Sequence, residues 1–142
     1  MNTRTIVNPI FAGKITGKMG LANTVSAIAA VDEMQDVGYN GLVGVVRYKR
    51  TLKKDSYIGG FFTARQNEYF KNIVYGGDAL IKLGKSTTVS GYLFNSGTID
   101  TLGVDMRNRL ASAAKFDHST RKISVGAGYT NIDENFESAV GY

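Results

Sequence analysis

A sustained alternation of side-chain character across residues 41–95 limits what this chain can fold into. It divides into four stretches, 41–52, 56–66, 73–84 and 87–95, separated by polar or glycine-containing links. In 56–66, Ile58, Gly60, Phe62 and Ala64 share one parity, and Tyr57, Thr63 and Arg65 share the other. In 73–84 the odd positions Ile73, Tyr75, Ala79, Ile81 and Leu83 are apolar, whereas Asp78 and Lys82 fall on even positions. Successive side chains of an extended chain point to opposite faces, so these stretches make strands with one apolar and one polar face. A helix would scatter the same residues around its circumference. Antiparallel strands are expected.

The pattern extends in both directions. In 10–19, Phe11, Ile15 and Met19 oppose Lys14, Thr16 and Lys18. A tight link at 20–23 leads to 24–32, where Val25, Ala27, Ala29 and Val31 align, although the Ala-rich run 25–33 also admits a short helix. Link 33–40 follows, and 53–55 is a turn. Segment 66–72 is a longer link, and Lys85-Ser86 after Gly84 is a two-residue hairpin connection. Segment 96–108 is the longest link. In 109–117, Leu110, Ala114 and Phe116 oppose Arg109, Lys115 and Asp117. Residues 118–121 turn the chain into 122–132, where Ile123, Val125, Ala127 and Tyr129 align. Polar residues 133–137 then precede a last strand at 138–142. The expected fold is all-β, an antiparallel up-and-down meander of about eight or nine strands.

Composition narrows the function classes. Seventeen Gly against one Pro favour strands and tight turns, and the absence of Cys excludes disulfides, thiolate chemistry and Cys-ligated zinc. The net charge is +5, but Lys and Arg are dispersed. Their densest group, Arg47, Lys49, Arg50, Lys53 and Lys54, spans a strand end and its turn, where bases are solvated, so no nucleic-acid partner is expected. The opening residues Met1-Asn2-Thr3-Arg4 are polar, so no secretory signal is expected there. No run approaches the about 20 apolar residues of a membrane-spanning helix. A membrane role would have to use strands.

The links alternate between short and long. A meander whose two ends meet different surroundings gives that result, as in transmembrane barrels with short periplasmic turns and longer outside loops. Tyr48, Tyr75, Tyr92, Phe94, Phe116 and Tyr129 are candidate interfacial aromatics, or the core aromatics of a soluble sheet. The fold is thus expected to be a transmembrane β-barrel or part of one. Bacterial barrels carry an even number of strands, and a count of nine makes residues 1–142 a single segment of a barrel domain, lacking strands before residue 1 and after residue 142. A small complete barrel ending on the aromatic Tyr142 is the alternative, and it requires one strand to be miscounted.

Several short strings carry a resemblance. They are Thr63-Ala64-Arg65-Gln66, Val74-Tyr75-Gly76-Gly77-Asp78, Asp117-His118-Ser119-Thr120-Arg121-Lys122, Gly128-Tyr129-Thr130-Asn131-Ile132-Asp133-Glu134-Asn135-Phe136 and Val140-Gly141-Tyr142. The chain resembles an outer-membrane β-barrel family of unknown function found C-terminal to carbohydrate-binding family-9-like modules. The likeness covers nearly the whole chain and rests on turn residues and aromatics. It implies outer-membrane lipid as a partner, and glycans as partners through a neighbouring module that this chain lacks. It transfers no catalytic or sugar-binding residue.

Catalytic constellations are weak. Gly84-Lys85-Ser86 would need a glycine at Ala79 to complete a phosphate-binding loop, and it joins two strands instead of opening a helix. His118 is the sole His; Asp117 precedes it and would face away from it on a strand, which opposes a Ser-His-Asp triad with Ser119. Asp133, Glu134 and Glu137 suit a solvated outer loop better than a calcium site or paired catalytic carboxylates, and Asp105, Arg107 and Arg109 suit a loop ion cluster. No enzyme activity and no cofactor are expected. The candidate functional residues are lumen-facing charges: Lys14, Lys18, Arg47, Lys49, Arg65, Asp78, Lys82, Arg109, Lys115 and Asp117. In a barrel they would either tune a hydrated interior or pair across strands to fill it. Two functions follow as expectations: a non-enzymatic barrel segment of the bacterial outer membrane acting as pore, anchor or platform for a glycan-related module, or a soluble up-and-down barrel binding a small ligand.

Overall fold

Each extended segment pairs with the segment that follows it, and among the described residues no strand crosses over. The computed structural model describes residues 9–34, 39–68, 70–100 and 109–138. Its strands are β1 (Pro9–Met19), β2 (Asn23–Met34), β3 (Tyr39–Thr51), β4 (Tyr57–Gln66), β5 (Phe70–Leu83), β6 (Thr87–Asp100), β7 (Arg109–Ser119) and β8 (Ser124–Ile132). They form one antiparallel sheet in the order β1 to β8, with β1 and β8 at its edges. The Ala-rich run 25–33 lies in β2 and is not helical. Cross-strand pairing with Val43, Val45 and Val46 of β3 decides that local competition.

Because partners stay in step, parity is shared through the sheet. The row Arg47, Phe61, Gly76, Phe94, Ala111 runs straight across β3 to β7 on one face. The row Ala27, Val46, Phe62, Tyr75 runs across β2 to β5 on the other. The first face is inner: Val43, Val45, Thr63, Asn72, Val74, Phe94, Ser96 and Ala111 are buried there. The second is outer. Val74 is 0% exposed and its neighbour Tyr75 is 49% exposed, so the two faces differ completely within one peptide unit. Strands two apart in a flat sheet lie about 9.6 Å apart. Phe61 of β4 and Phe94 of β6 nevertheless meet at 5.8 Å between ring centroids, edge to face, so the sheet curls around its inner face.

Two expectations are corrected. The long links shrink, because β5 already begins at Phe70 and β6 continues to Asp100. Backbone pairing does not require apolar side chains, and Asn72, Ser96 and Thr98 extend these strands through polar sequence. Segment 67–69 is consequently no longer than 84–86, so the strand bounds do not keep a regular short–long alternation at these links. Residues 84–86 form a three-residue connection instead of a two-residue one, with Gly84 at φ +80°. The described residues form eight strands, within the expected eight or nine. Of the segment 138–142, Ser138 is not in a strand and 139–142 lie outside the described residues, as do Asp105 and Arg107.

Candidate functional site: the inner face

All ten charges singled out in the sequence share the inner face, because each has the parity of a buried neighbour in its strand or across the ladder. The structure joins some of them. Arg47 of β3 reaches over β4 and donates from one guanidinium nitrogen to both carboxylate oxygens of Asp78 on β5, at 2.9 and 2.8 Å. The Tyr57 hydroxyl donates to the same carboxylate. Lys49 stands over the Tyr57 ring, 4.1 Å from its centroid. Lys82 pairs with Asp55 at 3.3 Å, and Lys115 pairs with Asp117 along its own strand at 3.0 Å. Lys14 and Lys18 on β1 are exposed and make no ion pair among the described residues.

Glycines make the longer reaches feasible. Gly59 is the cross-strand partner of Asp78, and a Cβ there would sit 2.7 Å from Asp78 Oδ1 and 3.5 Å from an Arg47 nitrogen. The ion pair therefore occupies the space a side chain would take. Gly76 acts likewise one row away: it lies between Phe61 and Phe94, and a Cβ would fall 2.6 Å from the Phe94 ring and 2.0 Å from the Leu93 carbonyl oxygen. Two rings close over a bare backbone. These glycines are packing positions that strand parity alone could not reveal.

Tyr92 and Phe94 correct the interfacial-aromatic expectation. They stand on the inner face, stacked at 5.1 Å, because β6 presents its even positions inward. Tyr48, Tyr75, Phe116 and Tyr129 do stand on the outer face.

After β8 the chain turns inward. Asp133 donates its amide to the Leu110 carbonyl, and its side chain accepts from Asn135 N at 2.9 Å. The following carbonyls are received by inner-face donors: Asn135 by Arg109, and Glu137 by the buried Ser96 and by the buried Asn72 at 3.2 Å. Phe136 packs beside Val74, Phe94 and Ala111, and a recess beneath it is lined by Tyr92, Ala111, Ile132 and Ser138. The residues read as an outer loop thus form a strap whose backbone lies across β5 to β7, while the carboxylates of Asp133, Glu134 and Glu137 stay at its exposed side.

Neither a family model, nor a curated protein, nor a solved structure matches the chain. The arrangement has to be read from its own chemistry.

His118 lies inside β7 and not in a turn. It faces outward, with Nδ1 2.8 Å from Thr87 Oγ1, opposite to Asp117. The group Arg47, Lys49, Arg50, Lys53 and Lys54 is divided: Arg47 and Lys49 point inward, Arg50 outward, and the two lysines begin the short 3-10 turn Lys53–Asp55. Phe11, Ile15, Met19, Leu42, Val46, Ile58, Phe62, Leu83, Leu93 and Val125 remain exposed on the outer face. The charges Arg50 and Lys71 on that face stand one residue in from a strand end.

Proposed function

We propose that this sheet is a wall of a bacterial outer-membrane β-barrel, with its outer face against lipid and its charged face toward a wet interior. The observation that carries the reading is the exposure of the outer face. An apolar band crosses all eight strands, and soluble monomers rarely expose a contiguous apolar patch of more than a few hundred Å². Strands of 9 to 14 residues supply the about 9–11 residues that a tilted crossing requires. A closed sheet is the strand architecture that satisfies every backbone group in hydrocarbon.

Among the roles of pore, anchor and platform, the filled inner face favours anchor or platform. Phe61, Tyr92, Phe94 and the strap cover the central rows, and Arg47 and Asp78 neutralise each other in place of lining an open passage. A glycan-related module carried beside the wall is the cargo that the sequence resemblance supports. The test is partitioning. Chain refolded into detergent or lipid should regain its strand circular-dichroism signal and co-migrate with the amphiphile, and it should precipitate when the amphiphile is withdrawn. A monodisperse, folded, amphiphile-free monomer would instead mean a soluble sheet.

A further inference from the structure

The Arg47–Asp78 pair has an incomplete counterpart at the sheet edge. In the complete case an aspartate on β5 faces its cross-strand partner Gly59 on β4, and the cation comes over that glycine from β3. Asp117 on β7 faces its own partner, Gly126 on β8, in the same way. A Cβ at Gly126 would lie 3.2 Å from Asp117 Oδ1, so the carboxylate already leans over the bare backbone toward the edge. Among the described residues no strand stands beyond β8 to deliver a cation, and Asp117 reaches sideways to Lys115 in a half-exposed contact. At the opposite edge, β1 carries Lys14 and Lys18 on the inner face, exposed and without an ion pair among the described residues.

We propose that β8 pairs with β1 of a second copy of this chain, bringing Lys14 or Lys18 over Gly126 to Asp117. Directions agree: in an eight-strand alternating sheet β1 runs antiparallel to β8, and a copy turned about an axis along the strands keeps that sense. Faces agree as well. Phe11, Ile15 and Met19 would continue the outer apolar band of Val125, Ala127 and Tyr129. Exposed edges of this length otherwise invite indiscriminate pairing. The strap argues for a second copy over closure of the chain on itself. The interior of an eight-strand barrel is just wide enough for side chains or one small ligand, whereas this inner face carries the backbone of 133–138 on top of its own Phe61, Tyr92 and Phe94 rings. Two copies would join sixteen of the described strands, an even number, through two identical β8-to-β1 seams.

The inference rests on the membrane reading, and the experiment separates the two. Three forms are refolded in detergent and the chains per particle are counted by light scattering: wild type, Asp117→Lys, and Lys14→Asp/Lys18→Asp. Wild type should hold two chains and each variant alone should hold one, with strand signal retained. Mixing the two variants should restore two-chain particles, since each seam again joins opposite charges. One chain per wild-type particle, a two-chain particle indifferent to the substitutions, or a larger assembly would overturn the proposal. A folded chain that needs no detergent would count against the membrane reading itself, whatever its copy number.

Discussion

The two faces of this sheet are selected by different rules. Inside, a residue is matched to particular partners two strands away: Gly59 exists beside Asp78 because Arg47 must reach it, and Gly76 exists because Phe61 and Phe94 meet above it. Outside, Ile58, Phe62, Tyr75, Leu83 and Leu93 need only be apolar, and no second layer covers them among the described residues. A soluble sheet is matched on its apolar face and tolerant on its polar one. Here the specific contacts lie on the face that carries the charge. Specificity follows confinement, and polarity is secondary.

The largest effect expected from this contrast is at glycine. Gly76→Ala should destabilise the refolded chain by at least about 3 kcal/mol in a urea titration, because the new methyl group meets backbone and ring. Gly44→Ala, on the outer face with nothing within 4 Å of its Cβ, should stay within about 0.5 kcal/mol of wild type. Equal losses would erase the distinction between the faces. Next comes Ala79→Arg in the middle of the outer band, expected to lose about 2–3 kcal/mol when folding is titrated in lipid vesicles. A neutral result there would mean that the face meets water. Smallest is the ion pair. Asp78→Asn should cost about 1 kcal/mol, discounted because the Arg47 side chain is 32% exposed. Arg47→Gln added to it should cost little more, giving a coupling of about 1 kcal/mol in the double-mutant cycle. Additive losses would make the pair a bystander.

Parity carried most of the architecture. It assigned the faces of β1, β2, β4, β5 and β7 from single stretches, since a strand has only two sides to choose between. It went astray where pairing, not hydrophobicity, decides. Phe70, Asn72, Ser96 and Thr98 looked like link because they break the apolar rhythm, yet their amides are paired and their strand continues. Aromatic character suggests an interfacial place for Tyr92 and Phe94, whereas the parity of Val89 and Leu93 points them inward. Parity puts the ten candidate charges on one face of the sheet and leaves their partnerships open. Arg47 and Asp78 are separated by 31 positions, and what joins them is a register through Gly59 that exists only once three strands are aligned. The strap was hidden for the same reason, its receptors being scattered over β5, β6 and β7.

Nearest-neighbour pairing also sets an order of assembly. Every strand of this ladder pairs with its neighbour in sequence, and pairing neighbours in sequence loses less chain entropy than pairing distant strands, so zippering can advance strand by strand. The bond from Asn72 to the Glu137 carbonyl spans 65 positions and has no receptor until β5, β6 and β7 stand side by side. Docking of the tail is therefore the step that reports completion, and a chain arrested earlier would display its finished ladder with that latch still undone.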